Sequence, residues 1–400
     1  MTRSFSKAPS KEIRAQVGVQ IESDFSSRLV GYLRENGYKI QAGDTTIKLA
    51  AEFGFCYGVD RAIEYAFAAR HRFPNRRIWL TGEIIHNPGV NERLREMKID
   101  FLPNTDDKNV RYADLAKDDV ILIPAFGADS EEMTFFLNEG YEIVDTTCGS
   151  VLNVWKRVRK YANEGFTALV HGKYDHEETI ATVSQVCAES PDGHYLVVLD
   201  LDEARDLAAM IVSGDWSDFD RKFPAHARSK DFDPARDLMR IGVANQTTML
   251  ESESREIGEI VRAAIAERYG AGETESHFLS FDTICSATED RQRAVKELLS
   301  DGVDRMIVIG GYNSSNTGHL LELSSAVIPA YHIVDAGCLI TADRIIAKPN
   351  GREPVEMTDW LPEGPQVIGV TGGASTPDSI VGLVIERILQ LRGVPLPSLD

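Results

Sequence analysis

Three of the five cysteines in this chain of 400 residues recur at a like place, and thiolates are the side chains best suited to soft metals. The stretch Phe281-Asp282-Thr283-Ile284-Cys285 echoes Val144-Asp145-Thr146-Thr147-Cys148. Each is an apolar, β-branched run that ends on a cysteine and opens a helix-like segment. Ala51-Glu52-Phe53-Gly54-Phe55-Cys56 does the same without the Asp-Thr pair. A lone cysteine is ordinarily a small buried hydrophobe. Cys187, inside a helix-like run, and Cys338, without an equivalent in the repeat, read that way. Three matched thiolates suit either a Cys3His zinc site or a cubane iron–sulfur cluster. No Cys-x-x-Cys pair is present, and the ligands spread over more than 200 residues, which favours a cluster held between domains. Three cysteines on four irons leave one iron without a protein ligand, open to a substrate.

The polar loops supply further chemistry. In His171-Gly172-Lys173-Tyr174-Asp175-His176-Glu177-Glu178, an imidazole and a carboxylate stand two residues apart. His176 is able to donate to an anion, and Glu178 to deliver a proton if burial raises its pKa. A solvated loop is the plain alternative. His86, in Ile85-His86-Asn87-Pro88, is either a cap or a donor to a ligand. Asn313-Ser314-Ser315-Asn316 and Gly372-Gly373-Ala374-Ser375-Thr376-Pro377 both precede helices, where such residues serve as ordinary N-caps. Two hydroxyl-rich helix starts with adjacent glycines also make a phosphate cradle of neutral donors. Asn245-Gln246-Thr247-Thr248 is another polar cluster, straight after the strand expected over 241–244.

These residues need elements to place them. A unit of strand, cysteine, helix, strand and glycine loop recurs three times: Cys56 to Gly82 spans 26 residues, Cys148 to Gly172 24, and Cys285 to Gly311 26. Strands alternating with helices predict parallel α/β units. The expected fold is α/β: three small α/β domains in pseudo-threefold, trefoil-like arrangement around a central iron–sulfur cluster. The boundaries read as an N-terminal extension over 1–50, domains over 51–148, 149–284 and 285–392, and a tail over 393–400. A helix is expected from Ser23 to Asn36, with Phe25, Leu29, Val30 and Leu33 on one face. Residues 213–237, polar and rich in turns, read as a surface insertion ordered in part on Trp216, Phe219 and Phe223.

Composition excludes other classes. A hydrophobic content of 43% and a charged content of 26% are globular, while a net charge of −19 opposes nucleic-acid binding and an anionic membrane surface. No apolar run reaches the length of a membrane span. The N-terminus, MTRSFSKAPSKEIRAQ, lacks the apolar core of a secretory signal. The expected location is cytoplasmic, with the plastid stroma as the alternative raised by its Arg, Ser and Lys content. Five widely spaced cysteines are no disulfide framework.

Taken together, GFCYGVDRA, EIIHN, DTTC, HGKYDHEET, NQTT, DTIC, NSSN and GASTPD resemble the 4-hydroxy-3-methylbut-2-enyl diphosphate reductase (LytB/IspH) family, in order over about residues 48–391. The long N-terminus and the insertion resemble its plant and cyanobacterial branch. The resemblance implies a [4Fe-4S] cluster held by Cys56, Cys148 and Cys285. It also implies diphosphate binding by His86, His176, Ser314, Ser315, Asn316 and Ser375, proton delivery by Glu178, and orientation of the substrate hydroxyl by Thr247. Pro124-Ala125-Phe126-Gly127 departs from the shorter members, whose Ala-His-Gly gives a histidine to the diphosphate. Phe126 cannot donate, so that contact is lost or supplied by another group.

The implied reaction is reductive dehydroxylation to isopentenyl and dimethylallyl diphosphate, the last step of the methylerythritol phosphate pathway. In it the substrate hydroxyl binds the open iron, and reduced ferredoxin or flavodoxin is the expected electron donor. Two rivals stay open: a cluster-dependent hydro-lyase, and a non-redox protein with a structural Cys3His zinc site.

Overall fold

The computed structural model describes residues 9–281 and 283–396. Asp282, the start of the expected extension (1–8) and the end of the expected tail (397–400) lie outside the described residues. The chain divides into two compact units. Residues 79–82 and 102–285 belong to one. The described parts of 7–78, 83–101 and 286–400 belong to the other.

The fold is α/β, as the alternating pattern predicts. In the second unit a five-stranded sheet runs in the order Lys39–Ala42, Thr45–Leu49, Gln366–Gly372, Arg305–Ile309 and Ala330–Ile333. Its first two strands form a hairpin turning on Gly43, and the rest of the sheet is parallel. In the first unit, Phe278–Ser280, Ile241–Asn245, Thr167–His171 and Tyr195–Val198 form a parallel sheet in that order. Val120–Ile123 pairs in parallel with Glu142–Asp145. Strands such as Ile241–Asn245 and Arg305–Ile309 are buried along their whole length, because helices cover both faces of a parallel sheet.

All three cysteines sit at the same kind of junction. Each follows a parallel strand and immediately precedes a helix: Cys56 before Tyr57–Arg72, Cys148 before Gly149–Asn163, and Cys285 before Ser286–Ser300. Each also donates its backbone N–H to the carbonyl of a residue two places beyond the end of the neighbouring parallel strand. Cys56 donates to Ala374 at 3.2 Å, Cys148 to Ala125 at 2.9 Å, and Cys285 to Thr247 at 3.3 Å. The repeat seen in the sequence is therefore a repeat of backbone geometry.

The N-terminal region corrects the expectation of one helix over 23–36. Two helices are present, Lys11–Phe25 and Arg28–Glu35. Ser27 breaks the run by capping the second, its side chain accepting from Val30 N–H at 3.4 Å. The first helix escaped the periodicity because only Val17 and Phe25 on it are buried, and Val19 is 70% exposed. Leu29, Val30 and Leu33 enter the core of the second unit with Ile47, Phe53, Val370 and Ile385. At roughly 1.5–3 kcal/mol for each buried side chain, that packing makes the helix integral to the unit. In the expected insertion, Phe219 and Phe223 are fully buried, and Phe219 stacks on Phe232 with centroids 5.7 Å apart. Trp216 packs at the edge of the same core.

Candidate active site

In the first unit, Glu178 is the centre of a buried network. It lies in the first turn of the helix Glu177–Glu189 and is 1% exposed. Its Oε1 accepts from the backbone N–H of Thr247 at 2.6 Å, and its Oε2 from the Thr247 hydroxyl at 3.0 Å. The carbonyl of Thr247 is also the one that holds the Cys285 N–H. One threonine therefore ties the carboxylate to the turn that carries the cysteine. With its own proton given to Glu178, the Thr247 oxygen keeps lone pairs able to accept from a further hydroxyl.

His176 caps the same helix: its Nδ1 accepts from Glu178 N–H at 3.1 Å. An Nδ1 that accepts carries no proton, so in the neutral ring the proton is on Nε2, which makes that atom a donor. Phe126 packs its ring at right angles to this imidazole, centroids 5.5 Å apart and planes at 82°. Phe126 thus walls one side of His176 and, having no polar hydrogen, adds no donor of its own.

Polar side chains pin the two cysteine turns of this unit. Asp145 Oδ1 accepts from both the N–H and the hydroxyl of Thr147, at 2.9 and 2.5 Å. The Thr283 hydroxyl donates to Asn245 Oδ1 at 2.8 Å and accepts from Asn245 N–H at 3.0 Å. Sequence reasoning missed Gln246. Its Oε1 accepts from Lys173 N–H at 3.1 Å and from the Thr179 hydroxyl at 3.2 Å, which joins the histidine loop to the Thr247 loop. Its place inside a polar cluster straight after a strand was the available signal.

In the second unit the remaining expected residues converge on three loops. Ser314 caps the helix Ser315–Ser325, accepting from Thr317 N–H at 3.3 Å. Asn316, 3% exposed, accepts at Oδ1 from Ala374 N–H at 2.9 Å, which fixes the orientation of its amide. Its Nδ2 then has no partner among the described residues. A buried donor left in this way, at a helix N-terminus, is set to receive an anion. The Ser375 hydroxyl donates to the His86 carbonyl at 3.2 Å. A Cβ on Gly311 would sit 2.2 Å from that same carbonyl oxygen, so only glycine allows this approach. His86 Nδ1 lies 2.9 Å from Glu83 Oε2, and Asn91 braces the loop through Ile84 N–H and the Ile85 carbonyl. Neither Glu83 nor Asn91 was singled out in the sequence.

Cys56, Cys148 and Cys285 are all half-buried. At Cys56 and Cys148 the thiol makes no capping hydrogen bond to its own helix. Iron is bound by the thiolate form of cysteine. The donor set, soft, matched and helix-terminal, fits an iron–sulfur cluster. Cys338 is buried, 3.8 Å from the Tyr312 hydroxyl, as a structural thiol should be. Cys187 is not: it lies on the exposed side of the helix Glu177–Glu189, so its helix setting was legible and its burial was not.

Comparison with known proteins bears on the whole chain. A sequence model of the LytB protein family matches residues 47–389. The 4-hydroxy-3-methylbut-2-enyl diphosphate reductase of a Cyanothece species is 46% identical over 381 residues, 94% of this chain and 92% of the relative. That of Thermosynechococcus vestitus is 46% identical over 385 residues, covering 96% and 94%. Among solved structures, (E)-4-hydroxy-3-methyl-but-2-enyl diphosphate reductase, the terminal enzyme of the non-mevalonate pathway, superposes with a TM-score of 0.52. It is 28% identical, over 86% of this chain and 99% of that one. The E-1-hydroxy-2-methyl-but-2-enyl-4-diphosphate reductase of Plasmodium falciparum has a TM-score of 0.60 at 20% identity, covering 85% and 86%, and shares the fold.

Proposed function

The chain belongs to the LytB family, and from that membership we propose that the side chains described above carry out the family's reduction of an allylic diphosphate. It is an iron–sulfur oxidoreductase of isoprenoid biosynthesis that acts on 4-hydroxy-3-methylbut-2-enyl diphosphate, at the terminal step of the non-mevalonate pathway. The products are isopentenyl and dimethylallyl diphosphate. The relatives give no support to a hydro-lyase or a structural zinc protein.

In this proposal Cys56, Cys148 and Cys285 hold a [4Fe-4S] cluster. The support is their matched junctions and half-buried thiols at helix starts. When bound, such a cluster supplies single electrons and a Lewis-acidic iron. The chain's own side chains do the rest. His176 through Nε2, Asn316 through Nδ2, the hydroxyls of Ser314, Ser315 and Ser375, and His86 bind the diphosphate. Neutral donors and helix N-termini suit a polyanion in a chain of net charge −19.

Thr247 orients the substrate hydroxyl, and Glu178 holds the proton that lets this oxygen leave as water. When Glu178 is protonated, the 3.0 Å bond reverses: Oε2–H donates to Thr247 Oγ1, whose own proton turns toward the departing oxygen. The observation that carries the proposal is this two-point hold of Glu178 on Thr247, next to the carbonyl that fixes the Cys285 turn.

Reduced ferredoxin or flavodoxin is the proposed electron donor, and the cytoplasm the proposed location. Among the described residues no helix is long and apolar enough to cross a membrane. We assign the catalytic region to three modules, 51–148, 149–284 and 285–392. The test is turnover of the allylic diphosphate by protein purified without oxygen. Product must form with a reductant and must not form without one. Product without reductant would point to lyase chemistry.

A further inference from the structure

The helices Lys11–Phe25 and Arg28–Glu35 lie ahead of the LytB match and have no part in the reaction above. They nevertheless grip the loop that delivers Cys56. Arg34 forks onto the Asp378 carboxylate, with Nη2 at 2.9 Å from Oδ1 and Nη1 on Oδ2. The same guanidinium lies 4.7 Å from the centre of the Phe53 ring. At the end of the first helix, Phe25 meets Phe55 edge to face at 5.5 Å. Phe53 and Phe55 flank Gly54, which has a φ of +79°; a Cβ there would sit 3.0 Å from Asp378 Oδ1. That position therefore requires glycine. The Gly54 carbonyl accepts from Arg291 Nη2 at 2.6 Å, and its N–H donates to the Gly372 carbonyl at 3.3 Å. The backbone of the loop is thus tied to the helix Ser286–Ser300 and the strand Gln366–Gly372, and both its aromatic side chains are tied to the N-terminal helices.

We propose that the N-terminal helix pair is a clamp on the Cys56 loop. Arg34 and Phe25 act as positioning residues that fix where the thiolate is presented. The proposal rests on the reading of Cys56 as a cluster ligand. Arg34 is 41% exposed on its side chain, so its ion pair adds little to global stability. What it contributes is direction: a bidentate fork on one side and a ring on the other leave the guanidinium a single orientation. The helix itself is held by Leu29, Val30 and Leu33. Loss of Arg34 should therefore loosen the loop without unfolding the unit.

The experiment uses the 400-residue chain, purified without oxygen, as wild type and as Arg34→Met, Phe25→Leu and Arg14→Met. Arg14, on the same extension, pairs instead with Glu64 at 2.8 Å and serves as the control. Iron release to a ferrous chelator, alkylation of each cysteine in the metal-free chain by peptide mass spectrometry, and thermal unfolding are followed together. Arg34→Met and Phe25→Leu should speed both iron release and Cys56 alkylation by about threefold or more, a local opening. Alkylation of Cys148 and Cys285 should stay unchanged in both variants, the unfolding temperature should stay unchanged in Arg34→Met, and Arg14→Met should match wild type.

Wild-type rates at Cys56 in both variants would overturn the clamp, and so would an equal rise at all three cysteines. If Arg34→Met does not fold, Arg34→Lys, which keeps the charge without the fork, must still raise Cys56 alkylation above wild type. A wild-type chain that binds no iron would sink the cluster reading. Cys56 alkylation in that metal-free chain would still decide the clamp.

Discussion

In the proposed reading, Glu178 serves the proton and Asn316 the phosphate. Glu178→Gln keeps the shape and one acceptor oxygen but holds no transferable proton. Iron content should match wild type while kcat falls on the order of 10²–10⁴-fold, the usual worth of a positioned proton donor. Retained turnover in that variant would remove Glu178 from the proton path. Asn316→Asp keeps the Oδ1 bond to Ala374 N–H and replaces the buried donor by an acceptor. The N-terminus of the helix Ser315–Ser325 offsets part of the cost of the added charge. KM should rise by roughly 10–100-fold, the worth of one hydrogen bond to a charged group, in steady-state assays with iron unchanged. Types and spacing had already marked most of these side chains. What they could not give was which atom pairs with which. That Glu178 takes both polar groups of one threonine depends on two loops 69 residues apart.

At the scale of elements, the junctions matter more than the elements they join. The strand expected over 241–244 is found as Ile241–Asn245, because a buried parallel strand reads as a short apolar run that stops at polar residues. The backbone bond from each cysteine to the neighbouring strand's exit was not legible, since no side chain encodes it. The break at Ser27 was missed for a related reason: a serine inside an amphipathic run signals a cap only once the chain is seen to turn.

The loop after Arg305–Ile309 also carries a pH liability. His332, on the adjacent strand, is 2% exposed, and its Nε2 donates to the Gly310 carbonyl at 3.0 Å. Burial, with Lys348 nearby, lowers its pKa from 6.5 to about 4. In the unfolded chain this ring takes a proton as the pH falls through 6.5, and in the native protein it does not. Its contribution is therefore fully present above pH 6.5 and is lost as the pH falls toward 4. Stability should drop by about 2 kcal/mol between pH 7 and pH 5 from this group. Denaturant titrations of wild type and His332→Gln at the two pH values check this. A variant as pH-sensitive as wild type would contradict it.

For the molecule as a whole, a threefold internal repeat is visible in the spacing of cysteines and glycines along the sequence. The part played by the N-terminal helices is not, because it depends on contacts 344 residues apart, between Arg34 and Asp378. The central claim is that Cys56, Cys148 and Cys285 together hold an iron–sulfur cluster, with Cys187 and Cys338 as bystanders. Cys187→Ser and Cys338→Ser should keep their iron, and Cys148→Ser should lose it. The most direct measurement is metal and acid-labile sulfide analysis of the wild-type chain purified without oxygen. The account predicts about four irons and four sulfides per chain. Zinc without sulfide would contradict it.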